Sequence, residues 1–259
     1  MRPETIDAFN APANSCPRNE LAAYLNFSET TPPQSNTPLN QWNMESDDGP
    51  LFSYIYRNFR PQRHLEFGTW QGFGTSLCLK ACDATVWTLN LPDGEEKQDG
   101  SWAYGHRVTD ETDAPPGAVS VNFGVDEDGP RTYHRTDAAS YIGRLYREQN
   151  LGHRVCQIYC DSQQWDQSAY PKDFFDSALI DGGHTPEVVV NDTRKALSVL
   201  RPQGMIMWHD FCPDPEVREQ MESVKGVTEG IESILPEINK QLETLIWIQP
   251  SWILLGITK

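Results

Sequence analysis

Apolar and polar positions fall into blocks whose length and period predict alternating helices and strands. Leu51, Phe52, Tyr54, Ile55 and Phe59 recur at helical spacing and lead into a first strand that ends near residue 67. Residues 85–91 are a β-rich run, separated from that strand by a glycine-rich turn and a short helix over about 75–81. A second strand after one short helix implies a crossover, which makes the pair parallel. The pattern resumes with a helix over about 138–149 capped by Asp137, a strand over 155–159, and an apolar strand over 174–181 of the kind buried on both faces. Thr185 then caps a helix with Pro186 at its first position, Glu187 in its first turn, and Val189, Ala196, Leu197 and Leu200 on one face. Residues 205–208 form another buried strand. A helical tract over about 215–240 leads to closing strands at 242–248 and 252–258, split by Pro250 and Ser251. Strands that close cannot be joined by a crossover helix, so this end of the sheet is antiparallel. The fold class is α/β: a doubly wound, mostly parallel seven-stranded sheet with an antiparallel C-terminal strand pair.

Two stretches stand outside the alternation. Residues 1–50 read as an arm or cap rather than part of the core: 28–50 hold four prolines and many Ser, Thr, Asn and Gln, with Leu39, Trp42 and Met44 as isolated apolar anchors. Residues 93–134 carry ten acids against three Lys or Arg, with Trp102, Tyr104, Phe123 and Tyr133 scattered among them. This insertion reads equally as a solvated surface excursion or as a lid or partner surface. The organisation is an arm over 1–50 and one domain over 51–259 that contains the insertion.

Composition narrows the partners. A chain of 259 residues is long enough for one large α/β domain, and 37 acidic against 21 basic residues give a net charge of −16. That excess argues against nucleic acid or an anionic membrane as partner. No apolar run approaches the roughly 18 residues of a membrane-spanning helix, and residues 1–20 lack the apolar stretch of a secretory signal, so a cytoplasmic location is expected. Cys78 and Cys82 fall on a helix, whereas Cys156 and Cys160 fall on a strand about 13 Å apart by strand rise, so one zinc does not suit all four. Buried, reduced thiols are the expectation for the six cysteines.

The chemistry concentrates at the strand ends. His64-Leu-Glu-Phe-Gly-Thr-Trp-Gln-Gly-Phe-Gly-Thr75 runs from a strand through three glycines into a helix, a turn that can bring backbone N–H groups close to a ligand. Its Glu-x-Gly-x-x-x-Gly spacing differs from the pyrophosphate turn Gly-x-Gly-x-x-Gly and suits a ligand with a sugar and an amino-acid tail. In a doubly wound sheet the carboxyl ends of the parallel strands line one crevice, and Glu66, Asn90, Asp161, Asp181, His209 and Asp210 all fall at such ends.

Together with Thr88-Leu-Asn-Leu-Pro92, Cys160-Asp-Ser162, Leu179-Ile-Asp-Gly-Gly-His184 and Gly204-Met-Ile-Met-Trp-His-Asp-Phe211, that turn resembles the class I S-adenosylmethionine-dependent methyltransferases. Within them the chain is similar to the macrocin-type O-methyltransferases and cephalosporin hydroxylase-like proteins. The likeness covers roughly residues 60–91 and 138–259. It implies a Rossmann-like fold and S-adenosylmethionine as cofactor, bound by Glu66, Gly68, Thr69 and Gly72 at the methionine part and by the end of the second strand at the ribose. Asp161 and Ser162 would lie beside the adenine, with Asp181 also in contact. The ribose position carries Asn90 where the family places an acid; its amide can still accept from and donate to hydroxyls.

The resemblance also implies a divalent ion, magnesium in the first instance, held by Asp181, His209 and Asp210; histidine at the middle position would favour manganese, iron or zinc, or leave the site empty. The candidate catalytic residues are His184 as general base, Asp181, and His209 as the competing base. Structural alternatives stay open: Asp181 and Asp210 as caps, His184 as closing its turn. Functional alternatives are a cofactor-binding enzyme that rearranges or cyclises without methyl transfer, and an iron oxygenase built on His184, His209 and an Asp. The expected acceptor is a small hydroxylated metabolite. The arm or the insertion is expected to cover the crevice, with part of their apolar surface open to a second copy of the chain. A side chain at Gly68 is expected to collide with the cofactor in an otherwise intact fold.

Overall fold

Crossover helices and parallel strands alternate as the apolar periodicity requires, in a computed structural model that describes residues 3–92 and 141–259 and the backbone of four intervening strands. In chain order the strands are β1 (Ser15–Pro17), β2 (Arg63–Phe67), β3 (Thr85–Asn90), β4 (Gly94–Glu96), β5 (Trp102–Gly105), β6 (Ser120–Asp126), β7 (Gly129–His134), β8 (Val155–Tyr159), β9 (Phe175–Ile180), β10 (Leu200–Trp208), β11 (Leu242–Gln249) and β12 (Leu254–Thr258). The helices are α1 (Leu21–Tyr24), α2 (Gly49–Phe59), α3 (Phe73–Ala81), α4 (Arg144–Glu148), α5 (Pro186–Val199), α6 (Pro215–Gln220) and α7 (Glu222–Gln241).

One sheet runs in the order β1-β11-β12-β10-β9-β2-β3-β8. Strands β10, β9, β2, β3 and β8 are mutually parallel, and β12 lies antiparallel between β10 and β11. Seven of these strands are those expected. The eighth, β1, comes from the arm and pairs parallel with β11. The expectation that residues 1–50 stand apart from the core therefore fails for β1, and also for Ile6 and Phe9, which are buried in the main apolar cluster, Phe9 edge-on to Phe211. Widely spaced apolar residues in a polar segment were enough to anchor it to the core.

Burial alternates along the central strands. Ala178, Ile180, Ile206 and Trp208 face a core shared with α5 and α7, while Leu179, Met205 and Met207 face one shared with α2 and α3. Period-two alternation into two apolar layers is what winding helices over both faces requires. Helix α4 begins at Arg144, later than expected, with Gly143 before it at a φ of 71°; the Asp137 cap lies outside the described residues. Thr185 occupies the N-cap of α5, but its side chain makes no capping hydrogen bond. In the insertion, β4 with β5 and β6 with β7 form two antiparallel hairpins. Cys16, Cys78 and Cys212 are buried, whereas Cys156 is exposed on the edge strand β8. Among the described residues no helix is long and apolar enough to cross a membrane.

Candidate active site

Strands β9 and β10 lie side by side with Ile180 opposite Trp208, so the residues following both arrive at one edge. The ladder continues past the strand ends: Asp181 N–H donates to Phe67 O at 2.9 Å and His209 N–H to Ile180 O at 3.0 Å. Asp210 then turns the chain out of the sheet at a φ of 55°, a left-handed conformation that Asp tolerates better than most residues. Gly182 and Gly183 bring His184 back over the same edge.

Four side chains meet there. His184 Nε2 is 2.9 Å from Asp210 Oδ2, and His209 Nδ1 lies 3.2 Å from Asp181 Oδ1 and 3.6 Å from Asp210 Oδ2. Burial opposes an imidazolium at His209, but the charges of Asp210 and Asp181 outweigh it and hold its pKa well above the usual histidine value. His184 is raised too: burial works against it, but the hydrogen bond and charge of Asp210 prevail. Burial would raise the Asp210 carboxyl, yet the two histidines bring it below the usual carboxylate range. One ligand atom from each of Asp181, His184 and Asp210 falls within 4.8 Å of the others. His209 meets the same carboxylates through Nδ1, but its ring nitrogens are not among the ligand atoms that converge. The pair of histidines with one carboxylate that an iron oxygenase would use is therefore not what converges.

The glycine turn is assembled mainly by its own backbone. Gly68 and Thr69 N–H both donate to Leu89 O at 3.0 Å, and Trp70 N–H donates to Asn90 Oδ1 at 2.8 Å. Asn90 Nδ2 donates to Leu91 O, so both ends of the amide expected at the ribose are engaged locally. Gly68 has a φ of 97°, and a methyl there would overlap the Asp181 carbonyl. The collision expected with a cofactor is thus, first, one with the neighbouring turn of the protein itself. Gly72, at a φ of 86°, precedes α3 and abuts Tyr146. Thr69 Oγ1 is buried and bonds Thr88 Oγ1 at 2.7 Å, with Gln157 Nε2 donating to it at 2.8 Å. Glu66 is enclosed beneath the turn; Thr75 and Thr88 hydroxyls donate to its Oε2, and burial pushes its pKa up to about 8 despite them. Trp70, at a φ of 43°, and Leu91 stand exposed at the neighbouring ends of β2 and β3.

Asp161 and Ser162 lie one strand further. Asp161 Oδ1 accepts from Gln163 N–H at 2.9 Å, and Lys195 Nζ holds the loop through the carbonyls of Ser162, Gln163 and Trp165. Asp192, buried on α5, is pushed up by burial to about 7, against hydrogen bonds from Ser162 and Asn191. A surface hollow of about 660 Å³ over α5, lined by Pro186, Glu187, Arg194 and Lys195 among others, includes none of the strand-end residues.

Sequence reasoning missed the residues behind the cluster. Asp48 is wholly buried; its Oδ1 pairs with Arg18 Nη2 at 3.1 Å and its Oδ2 lies 3.3 Å from His209 Nε2. Their one signal was a pair of acids just ahead of the Gly-Pro start of α2, which reads as a solvated helix beginning.

The sequence matches the model of a methyltransferase domain over residues 65–211, more than half of the chain. The chain belongs to this methyltransferase family. No curated protein matches it in sequence. Among solved structures, this methyltransferase is similar to SAH-bound PaMTH1 of Podospora anserina, at 12% identity and a TM-score of 0.51 over 82% of this chain and 78% of that one. It is also similar to the O-methyltransferase TomG of Streptomyces achromogenes, a protein of tomaymycin synthesis in complex with SAM, at 11% identity and a TM-score of 0.50 over 93% and 87%. These likenesses establish a shared fold, with the cluster at the carboxyl edge of its parallel strands.

Proposed function

We propose that this methyltransferase uses S-adenosylmethionine to methylate an oxygen of a small hydroxylated metabolite. The observation that carries the reading is the convergence of Asp181, His184 and Asp210 at adjoining strand ends of a methyltransferase domain. Asp210 holds His184 through Nε2, which leaves Nδ1 as the nitrogen able to take the proton of an acceptor hydroxyl. The same carboxylate makes His184 a stronger base than free imidazole, ready at a correspondingly higher pH. His209 keeps Asp181 and Asp210 in place as their counter-charge.

S-adenosylmethionine, when bound, supplies the electrophilic methyl group. Exposed Trp70 and Leu91 fit its nucleoside as an apolar surface beside the turn, while the engaged amide of Asn90 fits a ribose contact poorly. Gly68, Thr69 and Gly72 are the residues expected around the methionine part, with Asp161 and Ser162 toward the adenine.

Two carboxylates and an imidazole are also a donor set suited to manganese, iron or zinc, and less to magnesium, which favours oxygen ligands. Asp181, His184 and Asp210 would hold such an ion, whose chemistry there is to lower the pKa of the acceptor hydroxyl. The acid excess of the chain supports a small acceptor over nucleic acid. The closer likeness to macrocin-type enzymes and a cytoplasmic setting belong to the same reading, and the involvement of TomG in tomaymycin synthesis makes natural-product hydroxyls the first acceptors to try.

Calorimetry with S-adenosylmethionine, followed by transfer from methyl-labelled cofactor to a panel of phenols, catechols and sugars with and without chelator, tests the proposal. Cofactor binding and label on oxygen are expected. A folded chain that ignores the cofactor, or label found only on nitrogen or carbon, overturns it.

A further inference from the structure

We propose that Asp48, anchored by Arg18, is a positioning residue of the site: it fixes the His209 ring from behind and, through that ring, the carboxylates of Asp181 and Asp210. Both residues lie outside the segment that matches the methyltransferase domain.

Asp48 has no exposed surface and Arg18 only 1%. Charges so enclosed need partners on every side, and these have them. Arg18 Nε donates to Pro250 O at 2.6 Å, Nη1 to Pro33 O at 3.5 Å and Nη2 to Asp48, while the guanidinium stacks 5.0 Å from the Trp42 ring. The arm thus closes around the cation, and the cation holds one oxygen of Asp48. The other oxygen accepts Trp252 N–H at 3.2 Å and faces His209 Nε2 at 3.3 Å. That nitrogen is buried and makes no hydrogen bond, so Asp48 acts on it as a close negative charge, the carboxylate that faces this side of the ring. Phe52, four residues on in α2, packs against the same ring with centroids 5.7 Å apart. The opposite nitrogen, Nδ1, is thereby presented to Asp181 and Asp210. The oxygen that Arg18 leaves is thus shared between the Trp252 N–H, which fixes the carboxylate, and the ring at the site.

Histidine-labelled protein read by ¹H–¹⁵N correlation tests this, with His209→Gln assigning the signals. The wild type should carry a slowly exchanging proton on His209 Nε2. Asp48→Asn should speed that exchange by about tenfold or more and shift the Nε2 signal, leaving the other histidines unmoved. If the single variant does not fold because Arg18 is stranded, the pair Arg18→Gln with Asp48→Asn removes both charges and is read the same way. A bare Nε2 in the wild type, or an unchanged His209 signal in either folded variant, overturns the proposal. The consequence for turnover rests on the methyltransferase reading, for which Asp48→Asn should lower kcat about tenfold with cofactor affinity held. Should the wild type fail to bind S-adenosylmethionine, that reading falls while the histidine result stands.

Discussion

Glu66 ends the first core strand with its carboxyl enclosed and its pKa pushed up from 4.5 to about 8 by burial. A carboxyl raised in the fold adds stability that is complete below pH 4.5 and lost as pH climbs through about 8. Glu66→Gln keeps the shape and an acceptor for Thr75 and Thr88 but no longer titrates. Its stability relative to wild type should therefore improve between mildly acid and alkaline pH, by on the order of 4 kcal/mol; parallel melting curves across that range would show that the acid is ionised in place. His184 belongs to the same scale with a different readout. Because Asp210 raises it, its proton is retained above the ordinary histidine range, and methyl transfer that uses it as base should rise with pH through a midpoint above 6.5. Asp210→Asn should move that midpoint downward and slow transfer by one to two orders of magnitude, about 10- to 100-fold. A midpoint that stays put would assign the limb to another group.

At the scale of elements, the glycine turn and the turn after β9 are one construction. Gly68 takes its left-handed conformation against the Asp181 carbonyl, so Gly68→Ala combines an unfavourable φ with an overlap of backbone atoms. A destabilisation of about 3–5 kcal/mol is expected from chemical denaturation, before any effect on cofactor binding. A variant as stable as wild type would mean that the two turns separate easily and that the glycine serves the ligand alone. Helix α5 shows how far an element was legible. Its Pro186 start and its apolar face followed from residue spacing, whereas the hold of Lys195 on three carbonyls of the 162–165 loop did not, because a lysine on a helix reads as solvated until a loop closes over it.

For the whole molecule, the arm changes from cover to foundation. It supplies β1 to the sheet, Ile6, Phe9 and Trp42 to one core, and Arg18 to Asp48. Deleting residues 1–45 is therefore expected to give a chain without a cooperative thermal transition, because it exposes β11 and leaves Asp48 buried without its cation. A truncated chain that melts as sharply as the full one would return the arm to the role of a detachable cap. Whether the insertion covers the crevice depends on side chains outside the described residues, and cross-linking from Trp102 or Tyr104 to a bound cofactor analogue would decide it.

What the sequence determined by itself is what local periodicity and strand-end chemistry carry. Alternating helix and strand patterns set the doubly wound sheet, the close spacing of the last two strands made that end antiparallel, and the polar residues after each parallel strand shared one edge. Asp181, His184, His209 and Asp210 were legible for that reason, since a parallel sheet brings the ends of its strands together whatever lies between them. The tertiary structure alone decided which of those groups touch one another and what stands behind them. Asp48 approaches the far nitrogen of His209 from a segment more than 150 residues earlier, while the near nitrogen faces Asp181 and Asp210. Asn90 was drawn into the turn because Trp70 presents an N–H to it. The arm entered the core because a few large apolar side chains, spaced too widely to show any period, bury as well as a regular stripe once the sheet edge is there to receive them.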